Sequence, residues 1–352
     1  MLWLYIFSLA IKIAVTAKSS GSAHNSIPIN RLYTSSTSTV RNSHEHRPVK
    51  LSIEPERVRN EWRYDNATYW PGRLCRDGVG KRQSPINIKT ELVVPDSGKE
   101  FIKYGPLRLH GYQSVLVSGV NNGRTIQFTM EGDEAMHPTL TGGPLRYLYR
   151  LEQLHFHWLS EHAVNGYKYP MEIHFVHIRA DLSTSEALRK RDGIAIIAVF
   201  GNIKSEIEND ETFMASEMME EVVRQLPLLN QYGDRLSGIV MNMSKLLTAS
   251  QQSYVTYSGS LTSPECNEVV TWIILDNPVF MTYGQYKDFS DLAKTRYNFR
   301  SLQDSNITVY RPTTRLPTPM IFGVFANMFN YVASFFKNMN RMINNEPVKT
   351  QY

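Results

Sequence analysis

Two short stretches, Gln153-Leu-His155-Phe-His157-Trp158 and Glu172-Ile-His174-Phe-Val-His177, determine the fold and the site that we expect for this chain. Polar and apolar residues alternate over most of both stretches, which predicts β-strands whose successive side chains point to opposite faces. His155 and His157 then project from one face, and His174 joins them if the two strands pair. Three neutral imidazoles that converge in this way leave one tetrahedral position of a zinc ion open, as in catalytic zinc sites.

The neighbours of these histidines strengthen the zinc hypothesis. A His-x-His pair alone is a weak signal, since alternating histidines also occur on strands that bind no metal. Gln153 lies on the same face as His155, and Glu172 on the same face as His174, so each can accept a hydrogen bond from a ligand's ring NH. Such partners fix the tautomer of a ligand and raise its affinity. The sequence therefore predicts Zn²⁺ as the cofactor.

Short apolar or alternating runs dominate residues 61–311 and predict strands, with turn signals such as Asn122-Gly123 between them. The clearest helical stretch before the C-terminal tail is 211–225. Because strands dominate, we expect a mainly β (α+β) fold with a large central sheet and a few peripheral helices. The most distinct runs are 114–118, 125–130, 193–200 and 269–275.

The N-terminal part of the chain differs from this central part. Residues 1–17 are apolar and end in the small-residue pattern Val15-Thr16-Ala17, which predicts a signal peptide; an uncleaved anchor is the alternative. Residues 18–57 are rich in Ser, Thr, Asn, His and Arg without apolar periodicity. They predict a flexible linker or a removable pro-segment, because such a composition buries too little surface to order itself.

The C-terminal segment, 313–352, predicts an amphipathic helical tail, because its apolar residues recur at a spacing that gathers them on one helix face. Residues 316–336 contain no charge, but Asn and Gly residues within them disfavour a transmembrane helix. A helix in a membrane surface, or one that packs on another chain or on the central domain, fits better. We expect a secreted or extracellular protein that contacts a membrane or a protein through 316–343.

Cysteines and glycosylation sequons fit a secreted chain. Cys75 and Cys266 are an isolated pair, which makes them a disulfide candidate, with two buried free thiols as the alternative. Three sequons, each individually weak, begin at Asn66, Asn242 and Asn306.

Several motifs together resemble the signature blocks of the alpha-class carbonic anhydrases. The resemblance covers about residues 58–312 and implies the family fold, a twisted, mostly antiparallel sheet of about ten strands with zinc at the bottom of a conical cavity. It implies reversible hydration of carbon dioxide to bicarbonate and a proton by zinc-bound hydroxide. The motifs are 153–158, Ser160-Glu161-His162, 172–177, Gly259-Ser-Leu-Thr262-Ser263-Pro264, Gln83-Ser-Pro-Ile-Asn-Ile88, Asn122-Gly123 and Gly142-Gly-Pro-Leu145.

The resemblance also assigns roles. Thr262 would accept a hydrogen bond from zinc-bound hydroxide and donate its own proton to Glu161, while its backbone NH orients the substrate with Ser263 beside it. Without the resemblance, Thr262 is a turn residue and Glu161 a loop carboxylate. Tyr64 resembles a cavity tyrosine of the water network. An apolar wall for carbon dioxide, made of residues that are also ordinary core residues, would comprise Val176, Ile196, Leu261 and Trp272.

Further roles follow from the same resemblance. Cys75 and Cys266 match positions that are bridged in secreted members, and His162 and His177 resemble buried, hydrogen-bonded structural histidines.

The chain departs from the family at Arg124, where the fastest members carry a histidine that shuttles protons to buffer. Arginine stays protonated and cannot accept that proton, so we predict turnover limited by proton release. Gln127 and Glu152 place polar groups on the expected cavity wall. Glu152 is either a substitute proton acceptor or a residue that faces solvent.

Other functions are less consistent with the sequence. A net charge of +5, from 38 basic and 33 acidic residues, is too small and dispersed to indicate a nucleic acid partner. A metalloprotease would need a His-Glu-x-x-His helix, which the chain lacks. A catalytically weak or silent family member that serves as a binding or adhesion module is the alternative, but such proteins typically lose a zinc histidine.

Overall fold

One 14-stranded sheet dominates the computed structural model and confirms the predicted mainly β fold. The described residues are 49–51, 62–96, 104–204, 217, 219–247, 253–292 and 297–312. The strands are β1 (Val49–Leu51), β2 (Asn87–Ile88), β3 (Val94–Pro95), β4 (Leu107–His110), β5 (Val115–Asn121), β6 (Ile126–Met130), β7 (Thr139–Gly142), β8 (Tyr149–Trp158), β9 (Ala163–Val164), β10 (Met171–Arg179), β11 (Ile194–Ile203), β12 (Arg235–Met241), β13 (Tyr254–Gly259), β14 (Val270–Leu275), β15 (Val279–Met281) and β16 (Tyr310–Arg311).

Helices are few and short in the described part of the chain. The predicted helix over 211–225 is helical at 217 and 219–223 and a turn at 224–225, while 211–216 and 218 lie outside the described residues. The α-helices are α1 (Thr184–Ala187), α2 (219–223) and α3 (Tyr283–Leu292). The 3₁₀ segments are Tyr64–Tyr69, Arg73–Cys75, Thr90–Leu92, Glu134–Met136, Leu226–Leu229 and Met243–Leu246.

The main path of the sheet runs β1-β12-β5-β6-β8-β10-β11-β14-β13-β16-β3. Most neighbours are antiparallel, as expected, and the parallel pairs of this sheet are β11 with β14, β11 with β15, and β16 with β3. β8, β10 and β11 lie at the centre. They have neighbours on both sides and long buried runs, which fixes the positions of their side chains.

Two clusters of buried apolar side chains cover the two faces of the central strands. Along β10, Ile173 and Phe175 belong to the larger cluster, whereas Val176 and Ile178 belong to the smaller one. Because side chains alternate along a strand, His174 lies on the face of the smaller cluster. The strand period thus places a polar imidazole on the same face as an apolar wall.

The expected location, secreted or extracellular with a membrane contact, has to be corrected. Within the described ranges, no helix is both long and apolar enough to cross a bilayer. The longest of them, α3, has 10 residues, whereas a span needs about 20. The predicted signal peptide (1–17) and C-terminal tail (313–352) lie outside the described residues, and the predicted linker (18–57) is described only at β1, which pairs with β12.

The predicted disulfide between Cys75 and Cys266 is present. It joins a 3₁₀ segment near the start of the described chain to the loop that carries Thr262. Hydrogen bonds support both ends: Gln83 Nε2 donates to the carbonyl of Cys266 at 3.2 Å, and Arg300 Nη2 donates to that of Cys75 at 3.4 Å.

Replacing both cysteines by serine (Cys75→Ser with Cys266→Ser) should lower the free energy of unfolding by about 3 to 5 kcal/mol, because the bond closes a very long loop in the unfolded chain. The sequence separation of the two cysteines is 191 residues. Urea unfolding followed by tryptophan fluorescence measures the change, and reductant should affect only the wild type. Equal midpoints for variant and oxidised wild type would contradict this expectation.

Candidate metal centre

The pairing of β8 with β10 brings the three predicted histidines together. In this antiparallel register His155 is opposite His174, and His157 is opposite Glu172. One nitrogen from each of the three histidines lies within 4.8 Å of the others. Two strands therefore supply a complete three-nitrogen donor set.

Each of these histidines is held through one ring nitrogen, so that its other nitrogen is the one available to a metal. The available nitrogen is Nε2 in His155 and His157 and Nδ1 in His174. The contacts are Gln153 Oε1 with His155 Nδ1 at 2.8 Å, the Asn298 carbonyl with His157 Nδ1 at 2.6 Å, and Glu172 Oε1 with His174 Nε2 at 2.7 Å. The sequence pointed to Gln153 and Glu172. It gave no signal for Asn298, which acts through its backbone 141 residues away.

The chemistry of this donor set fits zinc. His157 Nε2 is buried and has no hydrogen-bond partner among the described residues, although it lies 3.6 Å from Glu161 Oε2. Burial, with the neighbouring imidazoles, lowers the pKa of His155 well below its usual range, and burial lowers that of His157. Neutral imidazoles at pH 7 are the form that binds metal. Three such nitrogens are the protein ligands of one class of catalytic zinc site.

Glu172 also lies close to His162 and His174 in a second set of potential metal ligands, but hydrogen bonds join the members of this set to one another. Its Oε1 lies 2.7 Å from His162 Nδ1 and 2.7 Å from His174 Nε2, while His162 Nε2 lies 2.6 Å from the Tyr257 hydroxyl. Burial acts to raise the pKa of Glu172. The charges and hydrogen bonds of the two histidines outweigh that effect and hold the pKa well below its usual range. The carboxylate is thus ionised and orients His174.

His162 and His177 are buried and hydrogen-bonded, in agreement with their predicted structural role. His177 Nε2 lies 2.7 Å from the Tyr112 hydroxyl and its Nδ1 3.2 Å from the Ala195 carbonyl. Burial lowers the pKa of His177 to about 4, so this ring is neutral at pH 7.

Glu161 lies beside the metal centre, but no hydrogen bond joins it to Thr262 among the described residues. It is fully buried, and its Oε1 accepts a hydrogen bond from the Arg300 backbone NH at 2.9 Å. Its Oε2 has no hydrogen-bond partner in the described part of the chain. Thr262 is also buried. The loop of Glu161 is held by Lys168, whose ammonium donates to the carbonyls of Ser160 and Glu161.

Arg124 is fixed against Trp62, whose ring contacts that of Tyr64. Its guanidinium carbon lies 4.4 Å from the centroid of the Trp62 ring, and its Nε donates to the Trp62 carbonyl at 3.2 Å. Trp62 contacts Tyr64, and the Tyr64 ring lies 6.3 Å from that of His157. Burial, followed by the charge of Glu161, raises the pKa of Tyr64 well above its usual range, although Arg124 acts to lower it. Tyr64 therefore stays protonated.

The predicted apolar wall is one continuous cluster, the smaller of the two described above. Val176, Ile196 and Trp272 are buried in it, and Leu261 packs against it partly exposed. The Trp272 ring lies 5.0 Å from the ring of His174. The wall therefore adjoins the metal centre through Trp272.

A β-bulge on β8 places Glu152 on the face of the histidines. Gln153 and Leu151 pair with consecutive residues of β10, so Glu152 is the extra residue. Leu151 and Leu154 both belong to the larger core cluster, so the two residues between them lie on the opposite face. The two predicted roles of Glu152, substitute proton acceptor and solvent-facing residue, remain predictions.

Gln127 and the three sequon asparagines are the remaining predicted sites. Gln127 pairs with His155 across β6 and β8, and its side chain bonds to Thr129 and Asn122. Among the sequon asparagines, Asn306 is exposed and Asn242 accepts hydrogen bonds from Ser244. The side chain of Asn66 is outside the description. Glycosylation therefore stays a prediction.

Comparisons with known proteins agree with this geometry. The sequence profile of the eukaryotic-type carbonic anhydrases matches residues 65–323. The chain is 34% identical to human carbonic anhydrase 7 over 245 residues, which are 66% of this chain and 86% of that protein. It is also 34% identical to carbonic anhydrase 1 of Monodelphis domestica over 245 residues, with 66% and 87% covered.

Replacing Glu172 by glutamine (Glu172→Gln) should weaken zinc binding about 10- to 100-fold, because an amide is a poorer acceptor for the His174 ring NH than a carboxylate. Competition with a chromogenic chelator measures the affinity.

The matched control is Glu152→Gln, which removes a carboxylate from β8 on the same face. Its zinc affinity should equal that of the wild type. Equal affinities for all three proteins would contradict the orienting role of Glu172.

Proposed function

The chain belongs to the eukaryotic-type carbonic anhydrase family and is therefore an enzyme that hydrates carbon dioxide; we propose how its own residues carry out this reaction. The observation that carries the proposal is the convergence of three imidazole nitrogens within 4.8 Å of one another, each ring held through its other nitrogen.

His155, His157 and His174 are the proposed zinc ligands. When bound, zinc would act as a Lewis acid and lower the pKa of a bound water molecule to about 7, a value known from carbonic anhydrase itself. The protein supplies three imidazole donors and a buried carboxylate, Glu172, that keeps the His174 ring in one tautomer. A preorganised set of this kind binds metal without rearrangement of the strands.

Thr262 and Glu161 are proposed to orient the attacking water. Glu161 Oε2 is a buried carboxylate oxygen without a hydrogen-bond partner among the described residues, which is costly unless a donor satisfies it. The hydroxyl of Thr262 is the donor that we assign to it. Once it donates to the carboxylate, this hydroxyl can only accept from the water, so that a lone pair is directed at the substrate. The backbone NH of Thr262, with Ser263 next to it, would hold a substrate oxygen.

The apolar wall is the proposed site for carbon dioxide. This substrate has no net charge or dipole, so burial against Val176, Ile196 and Trp272 favours it over water. Bicarbonate is charged and gains little from such a wall. The wall therefore holds the substrate and favours release of the product.

Release of the proton is the proposed slow step. Arg124 cannot accept a proton because guanidinium stays charged, and its contacts with Trp62 hold it in place. Tyr64 cannot accept one either, since its pKa is raised and it is already protonated. Neither of these two side chains beside the metal centre can therefore take up the proton.

Carbon dioxide hydration, followed by stopped flow on the zinc-loaded chain, tests the proposed ligands. Replacing His157 by alanine (His157→Ala) should remove zinc and reduce hydration to the uncatalysed rate, since two nitrogens hold the metal poorly. His110→Ala is the control, because His110 is an exposed histidine on β4. Full hydration by His157→Ala, or bound zinc without hydration in the wild type, would contradict the proposal. The second outcome would favour a silent binding module.

Replacing Arg124 by histidine (Arg124→His) should raise kcat about tenfold or more in dilute buffer, because a histidine can accept the proton and pass it to solvent. Imidazole buffer should raise the kcat of the wild type, and kcat/KM should not change. Arg124→Gln removes the charge without adding an acceptor and should stay slow. If kcat is independent of imidazole concentration, proton release is not the slow step.

A further inference from the structure

A cleft of about 470 Å³ lies on the side of the sheet away from the histidines. Ser258 on β13 and Thr271 on β14 line it, and they are directly opposite each other in the antiparallel pair. Their strand neighbours Tyr257 and Trp272 are also opposite each other, and the Trp272 ring contacts His174. Because side chains alternate along a strand, Ser258 and Thr271 face away from the metal centre.

Two arginines against one aspartate give the lining of this cleft a net positive charge. Arg146 and Arg191 line it, both are exposed, and neither has an ion-pair partner in the part of the chain that the structure describes. The acidic residue in the lining, Asp192, is already paired with Arg179, whose Nη1 lies 2.9 Å from its Oδ1. Arg179 also pairs with Asp181, so Asp192 keeps part of its negative charge, and the lining carries two guanidinium groups against one carboxylate.

The cleft also holds hydroxyl donors without acceptors. Neither Ser258 nor Thr271 forms a side-chain hydrogen bond with another described residue. The hydroxyls of Thr256 and Tyr149, by contrast, donate to the carbonyls of Trp272 and Asp192. Two guanidinium groups and two hydroxyls are hydrogen-bond donors suited to an oxyanion.

The size and the aromatic side chains of the cleft indicate a ligand larger than a single inorganic ion. Its volume is in the range of small-molecule sites, about 300 to 1,000 Å³. The rings of Tyr104 and Tyr310 line it with their centroids 6.3 Å apart. We propose that this cleft binds a small organic anion whose phosphate or carboxylate group is held by Arg146 and Arg191 and whose apolar part packs on the two tyrosines. The proposal does not rest on the hydration reaction.

Calorimetric titration of the zinc-loaded full chain at low salt tests the proposal. The probes are phenyl phosphate, benzoate and inorganic phosphate. We expect saturable 1:1 binding of phenyl phosphate or benzoate, and weaker binding of inorganic phosphate, which lacks the ring. The organic probe that binds more tightly identifies the head group.

Arg146→Gln and Arg191→Gln should each weaken this binding about tenfold, since each removes a charge-assisted pair of hydrogen bonds. The matched control is Arg189→Gln, which removes the same charge from an exposed residue of the same loop outside the cleft. The control should bind as the wild type does. All three variants should hydrate carbon dioxide and unfold thermally as the wild type does, because these side chains are exposed.

Three results would overturn the proposal. One is the absence of saturable binding of either organic probe. Another is equal weakening by Arg189→Gln, which would mean attraction to general surface charge. The third is loss of binding in His157→Ala, which would place the anion on the metal and not in the cleft.

Discussion

The antiparallel register of β8 against β10 is the constraint on which the rest of the site depends. It sets His155 opposite His174, and the strand period brings His157 to the same face. A slip of one residue would turn every side chain of one strand to the other face and bury the imidazoles in the apolar core. Large apolar residues on the reverse face, such as Phe156 and Phe175, make such a slip costly. The packing of the core therefore maintains the geometry of the three proposed zinc ligands.

Around this pair of strands, burial and charge act together. Burial alone would favour the neutral forms of ionisable groups, and it lowers the pKa of His155, His157 and His177. Glu172 is the exception, because hydrogen bonds from His162 and His174 keep it ionised inside the protein. Tyr257 extends this network to Ser84, with 2.9 Å between their oxygens. The metal centre is thus surrounded by polar contacts that tolerate little movement.

Local sequence patterns predicted much of the fold and of the candidate metal centre. The features that they could not predict depend on residues far apart along the chain. The alternation of polar and apolar residues predicted the central strands and the shared face of His155 and His157, because such a pattern is complete within a few residues. The isolated cysteine pair made the disulfide a candidate, and the resemblance to a family favoured it over two free thiols. The roles of Thr262 and Glu161 came only from that resemblance. The Asn298 contact uses a backbone carbonyl, which every residue has, so no residue type marks it. The cleft with Arg146 and Arg191 depends on separate loops brought together by folding.

The carbonyl of Asn298 also has a consequence for the order of events during biosynthesis. A chain emerging from the ribosome presents β8 and β10 long before Asn298, so two strands can pair while His157 still lacks the group that fixes its ring. Forming a contact this distant in sequence also carries a large cost in loop-closure entropy. Tight metal retention is therefore a property of the finished molecule. Zinc offered to a nascent or truncated chain would meet imidazoles that are present but not yet aligned.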